Sequence, residues 1–471
     1  MYKAYITHVT NIRPAENADR LNACEVFGNT TIIDKSITEN DTIVYFPSDG
    51  QISVEFGEKN NLFRRKDDAG NNVGGFIDPN KRNITAIRLR GNRSDGLVLP
   101  ISCLNYCFAH GDASIELRVG DVIDGCVNGH DICTKYIPRR PDPTRAHGGN
   151  KTRKHKTPVA PLFKEHADTE QLAYNLSAFK PGDEIEITLK MHGTSQRTGY
   201  LPTLKGYKKS FLDWLFRREG KPIYDWGYVS GTRRVVLEDY EGGYYGDNAF
   251  REQHSKVFEG KLWKGETVYY EVVGFTTSGA PIMASANNKK LNDKAFIKQY
   301  GEETVFSYGC TPNPTYEGKM KFDDRAVVLT DWGITGKPQS DIYVYRMTMT
   351  NEDGDVVEYT PDFMRYRCEQ MGVKTVPIFA KAIINEDCQF IDNDGSTEPG
   401  DAGAYVMKVA ELFCDGPDPI GKTHVREGVV VRIINRPKFT AYKHKNFSFK
   451  VLEGIIKDVA TAPDMEEAQE V

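Results

Sequence analysis

The sequence contains no Cys-x-x-Cys pair, no long apolar run and no strong excess of either charge. Nine cysteines lie singly along 471 residues, so no zinc site is expected, and reduced cytosolic thiols are the expected state. No segment approaches the roughly 20 apolar residues of a membrane helix. The start, Met1 to His8, lacks the apolar core of a signal peptide. We therefore expect a cytoplasmic protein that binds neither zinc nor a membrane.

The composition is that of a folded protein with two or three domains. Hydrophobic residues make up 39% of the chain and aromatic residues 11%, with a net charge of -5 and a mean hydropathy of -0.52. These values are typical of globular domains with sizeable cores. The chain as a whole is not a polycation, so any contact with nucleic acid must come from local basic patches.

Residues 1–134 are predicted to form a small β-barrel. Short alternating strands separated by turn residues are typical of such barrels, and they are predicted at Ala4–Val9, Thr31–Ile33, Asp41–Pro47 and Ile84–Arg90. The segment from Asn60 to Lys66 combines basic and aromatic residues. It suits a surface that follows a nucleic-acid backbone, and a solvated loop explains it equally well.

Residues 135–160 are predicted to be a basic linker. Pro138, Pro141, Pro143 and the pair Gly148-Gly149 interrupt its first part, and the eight lysines and arginines up to Lys156 are accompanied by one acid, Asp142. Such composition is typical of linkers between domains. It is also the most positive segment of the chain, so contact with phosphates is the alternative to a purely connecting role.

Residues 161–457 are predicted to form an α+β domain with antiparallel sheets, followed by a mobile acidic tail at 458–471. Helical periodicity occurs at Asp247–Leu262 and Ala402–Cys414. Strand patterns occur at Asp183–Leu189, Thr267–Val273, Asp341–Met347 and Gly428–Ile434.

A strand-like run ends at Lys190 and turns at once into the polar loop that holds His192 and Gly193. A lysine is a nucleophile when nearby cations and partial desolvation favour its neutral form. The pattern Lys-x-(Asp or His)-Gly-(Thr or Ser) is the adenylation motif of covalent nucleotidyltransferases. Taken alone, the match is better explained by an exposed lysine at the end of a strand.

Four further segments carry candidate site residues. A guanidinium suits bidentate binding of phosphate, and Arg233 is the first choice for this role, with Arg234 as the alternative. One carboxylate interrupts an apolar strand at Glu271, where a charge needs a partner. Tyr345 shares a strand face with Tyr343 and could equally be a core residue. Glu427 stands in the pattern Glu-Gly-x-Val-x-Arg. Lys443 and Lys445 are two residues apart, so they lie on one strand face.

Together with the lysine motif, these segments supply six motifs in chain order, and the set resembles the ATP-dependent RNA ligases of the covalent nucleotidyltransferase superfamily. The motifs contain Lys190, Arg233, Glu271, Tyr345, Glu427 and the pair Lys443 and Lys445. His192 replaces the aspartate of DNA ligases, as in class 2 RNA ligases. The N-terminal half is similar to class 5 RNA ligases, in which an OB domain precedes the nucleotidyltransferase domain. The segments that carry this similarity are Ile12–Leu21, Asn40–Pro47, Ile87–Pro100 and Lys135–Pro138.

The resemblance implies an α+β fold with an N-terminal OB-type β-barrel and an antiparallel-sheet adenylation domain. It implies ATP, Mg²⁺ or Mn²⁺, and RNA with 3′-hydroxyl and 5′-phosphate ends, including nicked duplexes. A monomeric repair enzyme is expected, in the host cytoplasm if the source is a virus such as a bacteriophage.

It also implies a role for each residue. Lys190 would be adenylated, with Gly193 and His192 beside the nucleotide and Lys450 as a fallback for the last motif. The other roles are phosphate binding by Lys443 and Lys445, ribose or water-mediated metal contact by Glu271 and Glu427, adenine stacking by Tyr345 and phosphate-end binding by Arg233.

The sequence departs from these relatives at two places. Leu189 stands where they often carry glutamate, so adenine must be read by other groups, such as Thr188 or the backbone. The arginine that relatives carry about twenty residues before the lysine is missing near His166. A capping-type guanylyltransferase and an RNA-binding protein with a dead transferase site remain alternatives, and residues 276–340 carry no recognisable motif.

Overall fold

The computed structural model of the chain divides into two compact units. The first comprises residues 1–148 and 450–471, and the second comprises residues 149–449. The sequence instead placed everything from 161 to 457 in the second domain, and those domain bounds stay a prediction. The structure describes residues 2–16, 18, 20–48, 50–66, 73–89, 92–136, 157–166, 169–216, 220–233, 235–237, 240, 248–277, 282, 311–312, 334–335, 340–388, 390–391, 397–398, 401–416, 418–420, 426–447, 449 and 456–457.

Short strands and one helix build the first unit. They are β1 (Ala4–Thr7), β2 (Thr10–Pro14), β3 (Leu21–Val26), β4 (Asn29–Asp34), β5 (Ile43–Phe46), β6 (Gly50–Ile52), α1 (Val54–Lys59), β7 (Ala86–Leu89), β8 (Asn92–Ser94), β9 (Leu97–Pro100), β10 (Val122–Ile123), β11 (Cys126–Val127), β12 (His130–Asp131) and β13 (Cys133–Lys135). The main sheets have the orders β10-β1-β5-β9 and β2-β3-β4. Their antiparallel pairing confirms the predicted strands, and the OB-type closure remains a prediction.

The core of the first unit lies under these sheets. Ile6, Phe46, Phe56 and Leu104 are at most 1% exposed and belong to one apolar cluster. Ser53 begins α1, because its hydroxyl accepts a hydrogen bond from the backbone N–H of Phe56. The basic, aromatic segment predicted at Asn60–Lys66 lies partly in this core, where Leu62 and Phe63 are buried.

The second unit contains two larger sheets. Its elements are β14 (Glu170–Gln171), β15 (Glu184–Leu189), β16 (Thr194–Lys208), α2 (Phe211–Leu215), β17 (Lys221–Thr232), β18 (Val236–Leu237), α3 (Ala249–Lys256), β19 (Glu266–Gly274), β20 (Thr311–Pro312), β21 (Ile334–Thr335), β22 (Ser340–Thr350), β23 (Val356–Glu358), α4 (Pro361–Met371), β24 (Ile378–Ile383), β25 (Phe390–Ile391), β26 (Thr397–Glu398), α5 (Ala402–Cys414), β27 (Gly428–Ile433) and β28 (Thr440–Lys445). The last short strand of the chain, β29 (Ile456–Lys457), belongs to the first unit, where it pairs with β7.

One sheet has five strands in the order β14-β28-β27-β15-β24, and the other has six in the order β18-β17-β16-β19-β22-β23. Apart from the short parallel pair of β14 with β28, the pairings within these two sheets are antiparallel. The predicted α+β class with antiparallel sheets is therefore confirmed. The chain crosses from the five-stranded to the six-stranded sheet between β15 and β16, which brings residues 190–193 to the place where both sheets meet.

The helices of the second unit begin and end where capping residues stand. Thr360 caps α4 through its hydroxyl, and Gly372 ends it with a φ of 69°. The predicted helix Ala402–Cys414 is confirmed at both ends, with Asp401 as its N-cap. The helix predicted at 247–262 is shorter, Ala249–Lys256, because turns replace it before Gly260 and Gly265, two glycines with positive φ.

A buried ion pair fixes α4 to the six-stranded sheet. Arg367 donates from Nε to Glu266 Oε1 and from Nη2 to Glu266 Oε2, both at 2.8 Å. Glu266 is completely buried, and Tyr359 donates a third hydrogen bond to it at 3.1 Å. Because charge burial without partners is costly, this satisfied carboxylate specifies how the helix docks.

His254 makes the stability of the second unit dependent on pH. Its ring is buried on α3, where Nε2 lies 2.7 Å from Ser340 Oγ, and burial lowers its pKa to about 4. An unfolded histidine titrates near 6.5, so this contribution is present above pH 6.5 and is lost as the pH falls towards 4. We expect His254→Gln to lose less stability than wild type between pH 7 and pH 4, as measured by thermal melts. The titration of His254 accounts for at most roughly 3 kcal/mol of the loss in wild type. An equal pH dependence in both proteins would contradict this.

No helix among the described ranges is long and apolar enough to cross a membrane. Several predicted features lie outside those ranges: most of the basic linker, the alternative Arg234, the fallback Lys450, the acidic tail and most of 276–340.

Candidate active site

Lys190 lies directly after β15, at the start of the crossing between the two sheets. Its backbone N–H donates to Gly428 O at 3.0 Å, because β15 pairs with β27 up to Leu189 and Val429. This pairing joins two segments more than two hundred residues apart. It places the Lys190 side chain beside Glu427, the residue that precedes β27.

The carboxylate of Glu427 contacts two lysines and a histidine. Its Oε1 lies 2.5 Å from Lys190 Nζ and 3.2 Å from Lys445 Nζ, and its Oε2 lies 3.4 Å from His192 Nδ1. Burial by itself would raise the pKa of this carboxyl, but Lys190 and Lys445, with His192, hold it well below its usual range. Glu427 is therefore an anionic anchor for the lysine that the sequence selects as nucleophile.

The ring of His192 is fixed from two sides. It is buried, and it packs edge-on against Phe449 with 4.7 Å between ring centroids. Since Phe449 is completely buried, the histidine has little room to turn. Its place explains why an imidazole fits here: Nδ1 faces Glu427 while the ring packs on an aromatic.

A cavity of about 570 Å³ opens beside Lys190. This volume is within the range of small-molecule sites. Six of the residues selected from the sequence line the cavity: Lys190, Gly193, Arg233, Glu271, Tyr345 and Lys443. The other three, His192, Glu427 and Lys445, are joined to it through the ion pairs of Glu427. The structure thus brings all nine to one place.

Besides Glu186, which accepts hydrogen bonds from Arg365, the acid that lines the cavity is Glu271. It lies on β19, opposite Ser195 of β16 and Tyr343 of β22. Burial, opposed by Lys190 and reinforced by Glu427, raises the pKa of Glu271 to about 7. A cation or a hydrogen-bond donor bound in the cavity would stabilise the ionised form of this buried carboxyl. This agrees with the expectation that a charge in an apolar strand needs a partner.

Tyr345 lines the cavity and is fixed by its hydroxyl. The phenol oxygen lies 2.9 Å from Ser195 Oγ, and its ring lies 5.1 Å from that of His166. Tyr343, two residues earlier, is 7% exposed and packs in an apolar cluster with Leu189 and Met191. Both tyrosines contact this cluster, as their spacing predicts, but only Tyr345 is among the residues that line the cavity.

Arg432 and Phe439 also line the cavity, although the sequence does not indicate them. Phe439 lies between two buried guanidinium groups, 4.6 Å from Arg346 Cζ and 5.0 Å from Arg432 Cζ. Glu358 accepts from both arginines, at 2.8 Å and 3.3 Å. The sequence does not predict that these two arginines share one acid, because the three residues lie far apart in the chain and follow no common spacing.

His166 lies in the segment where the sequence lacks the arginine that the resemblance implies. It is buried, its Nδ1 lies 3.2 Å from Arg346 Nη1, and its backbone N–H donates to Arg233 O. The described arginines that line the cavity are Arg233 and Arg432. Another residue missed from the sequence is Arg251, which holds the start of β16 by donating to Thr194 Oγ1 at 2.7 Å and to Ser195 O at 3.2 Å.

Gly193 allows the crossing loop to touch the neighbouring strand. A Cβ atom at this position would lie 2.4 Å from Val272 O and 2.9 Å from Glu271 Cγ. Glycine is therefore required here because a side chain would collide with the strand that carries Glu271. This requirement is separate from the close approach of a nucleotide.

Gly193→Ala is accordingly expected to destabilise the second unit by about 1–3 kcal/mol and to displace Lys190. Denaturant unfolding measures the first effect, and the rate of covalent labelling by nucleotide measures the second. Gly111→Ala is the control, because nothing lies within 4 Å of its Cβ and only its φ of 70° is unfavourable. A Gly193→Ala protein that matches wild type in both measurements would refute the close approach.

Comparison with solved structures reveals similarity over nearly the whole chain. The structure of a Naegleria gruberi RNA ligase with PPi matches with a TM-score of 0.52 and 16% identity, covering 95% of this chain and 97% of the other. A variant of that ligase with AMP and Mn gives 0.51 and 17%, covering 96% and 98%. Another, with ATP and Mn, gives 0.52 and 16%, covering 96% and 98%.

The chain shares its fold with this RNA ligase. No family model matches the sequence, and no curated protein matches it. The similarity is therefore one of architecture.

Proposed function

We propose that this protein is an ATP-dependent RNA ligase that joins 3′-hydroxyl and 5′-phosphate ends through a lysyl-AMP intermediate. The observation that carries the proposal is the position of Lys190 beside a cavity that also presents Glu271, Arg233 and Lys443. An amine, a phosphate-binding cation set and a carboxylate converging on one cavity suit nucleotidyl transfer. The fold shared with an RNA ligase supports the same conclusion.

Lys190 is the proposed nucleophile. With its amine unprotonated, Nζ attacks the α-phosphorus of ATP, a P–N bond forms, and the bond to the β-phosphate oxygen breaks to release pyrophosphate. Glu427, 2.5 Å from Nζ, orients the amine. Lys443 and Lys445 stand on β28 next to this position and offset the charge that develops on the phosphates.

The remaining residues of the cavity bind and orient the nucleotide. Tyr345, fixed by Ser195, offers a ring for stacking on adenine. Glu271 accepts from a ribose hydroxyl or faces a hydrated cation, and Arg233 binds the phosphate end of the RNA. Thr188 also lines the cavity and is a candidate for reading adenine in place of the missing glutamate.

Glu271 is the acid of the cavity that a divalent metal ion would contact, although the described residues contain no group of three histidine, cysteine or acidic side chains that could hold a metal. Carboxylate oxygens are the ligands that Mg²⁺ and Mn²⁺ prefer. Glu271, whose pKa is raised to about 7, has most to gain from a cation. Glu427 is already engaged by two lysines, so its contact would be through water. When bound, the metal would neutralise phosphate charge beside Lys190.

In the two later steps, AMP passes to a 5′-phosphate RNA end, and a 3′-hydroxyl attacks that end to form the phosphodiester and release AMP. The resemblance to class 5 ligases favours a nicked duplex with RNA on the 3′-hydroxyl side. For the first unit we propose an OB-type barrel that binds this substrate. The setting is RNA repair by a monomer in the cytoplasm, of a phage-infected host if the source is viral.

Sealing of nicked duplexes tests this function. With ATP and Mg²⁺, a nick with an RNA 3′-hydroxyl is expected to be joined faster than the same nick with a DNA 3′-hydroxyl. Equal rates would contradict the substrate preference. Formation of the protein–AMP adduct without any joining would contradict the ligase activity itself.

A further inference from the structure

The ribbon formed by β16 and β17 ends in an exposed aromatic tip. Twelve residue pairs join these strands, from Gln196 with Thr232 to Lys208 with Lys221. At its base, Thr194, Ser195, Thr232 and Arg233 line the cavity. A 15-residue strand such as β16 extends roughly 45 Å, so the ribbon leads from the cavity to a site far from the chemistry.

The outer part of the ribbon stands apart from the sheet. β16 pairs with β19 from Thr194 only as far as Gly199, whereas its pairing with β17 continues to Lys208. Side chains are buried near the base and exposed near the tip, as at Lys208 and Ile223. Such a ribbon is stabilised at its base and free to contact another molecule at its end.

Four large apolar side chains are presented at this tip. Exposure is 74% for Phe211, 69% for Trp214, 54% for Leu215 and 61% for Phe216. The rings of Phe211 and Trp214 lie 6.0 Å apart with an interplanar angle of 32°. Large apolar side chains exposed together to this extent are typical of an interaction surface.

The charge around the rings selects the partner. Lys205, Lys208, Lys209 and Lys221 are all exposed on the ribbon ends that flank α2. The one acid among the described residues of the tip, Asp213, is engaged by Ser210, whose N–H and hydroxyl both donate to its Oδ2. A basic, aromatic surface on a chain with a net charge of -5 is complementary to nucleic acid, where lysines contact phosphates and rings stack on bases.

We propose that the tip of the β16–β17 ribbon, residues 205–216 and 220–223, is an RNA-binding surface that contacts the substrate strand away from the cavity. This deepens the proposed ligase function and rests on it for the identity of the RNA. The rings of Phe211 and Trp214 stack on unpaired or terminal bases, and Lys208 and Lys209 bind the backbone. The tip thereby adds affinity for RNA without touching the reacting atoms.

The first test replaces the rings. Full-length Phe211→Ala/Trp214→Ala protein is expected to bind a fluorescein-labelled nicked RNA duplex and a labelled single strand at least ~10-fold more weakly in fluorescence anisotropy. Its labelling by ATP without RNA is expected to equal that of wild type. Trp214→Phe, which keeps a ring, is expected to restore most of the affinity. Tyr366→Ala, which removes a ring that is 53% exposed on α4, is the matched control.

The second test replaces the charges. Lys208→Ala/Lys209→Ala is expected to reduce the slope of log Kd against log salt concentration by about 2. Lys256→Ala/Lys374→Ala removes the same charge from lysines already paired with Glu252 and Asp341 and is expected to leave that slope unchanged.

RNA affinity and salt slope equal to wild type in both tip variants would overturn the proposal. If RNA binding were unchanged but the ring variant altered the sedimentation of the protein, the tip would be a contact between two copies of the chain. Failure of the proposed function is distinguishable, because it would abolish labelling of the wild type by ATP whatever the tip variants do to RNA binding.

Discussion

Lys190→Ala protein is expected to form no covalent AMP adduct with ATP and a divalent metal ion, and to fold as wild type does. The amine is the only group that the proposed mechanism adenylates, and no other side chain of the cavity replaces it as nucleophile. We therefore expect labelling to fall by at least ~10³-fold. The side chain is 23% exposed, so its removal leaves the core intact.

This loss must be separated from general damage to the protein. Lys381→Ala removes a lysine from β24 that is 42% exposed and paired with Asp362, and it is expected to label normally. Binding of RNA is also expected to survive in Lys190→Ala, because the covalent step is distinct from the contact with substrate. Labelling of Lys190→Ala at the rate of wild type would exclude Lys190 as the nucleophile.

Removing the carboxylate of Glu427 is expected to produce the next largest effect. In Glu427→Ala, Lys190, Lys445 and His192 would remain together without the anion that now lies within 3.4 Å of each. Loss of one partner from a buried charge cluster costs about 3 kcal/mol or more. We also expect adduct formation to fall at least ~100-fold, because the nucleophile loses the group that orients it.

Two substitutions separate these two effects. Glu427→Gln keeps the shape and an acceptor, so it is expected to unfold closer to wild type while labelling stays low. Glu266→Gln disturbs another buried carboxylate, which pairs with Arg367 and does not line the cavity. It is expected to lower stability without changing the labelling rate of the folded protein. Normal labelling of both Glu427 variants would remove this residue from the site.

Local patterns in the sequence predict much of the fold. Alternating apolar residues locate β15, β19 and β27 to within about one residue and β22 to within about three. The N-cap Asp401 explains why α5 begins where predicted. The helix at Ala249–Lys256 was overestimated, since periodicity does not register the turns near Gly260. Pairing between strands far apart in the chain cannot be read from such local signals.

The candidate site was predictable residue by residue, but its contacts were not. Ordered motifs indicated Lys190 and Glu427, yet the 2.5 Å contact between them depends on the register of β15 with β27. No spacing in the sequence predicts that Phe439 packs between Arg346 and Arg432. Gly193 was selected for the approach of a nucleotide, and the structure adds the close contact with Val272.

One measurement tests the central claim most directly: wild-type protein is incubated with Mg²⁺ and α-labelled ATP or GTP, and the labelled peptide is mapped by mass spectrometry. The account predicts an adduct from ATP and not from GTP, with AMP attached to Lys190. An adduct specific for GTP would assign the cavity to capping chemistry. No adduct from either nucleotide, with Mn²⁺ also tried on folded protein, would contradict the proposed enzyme and leave an RNA-binding protein with the fold of a ligase.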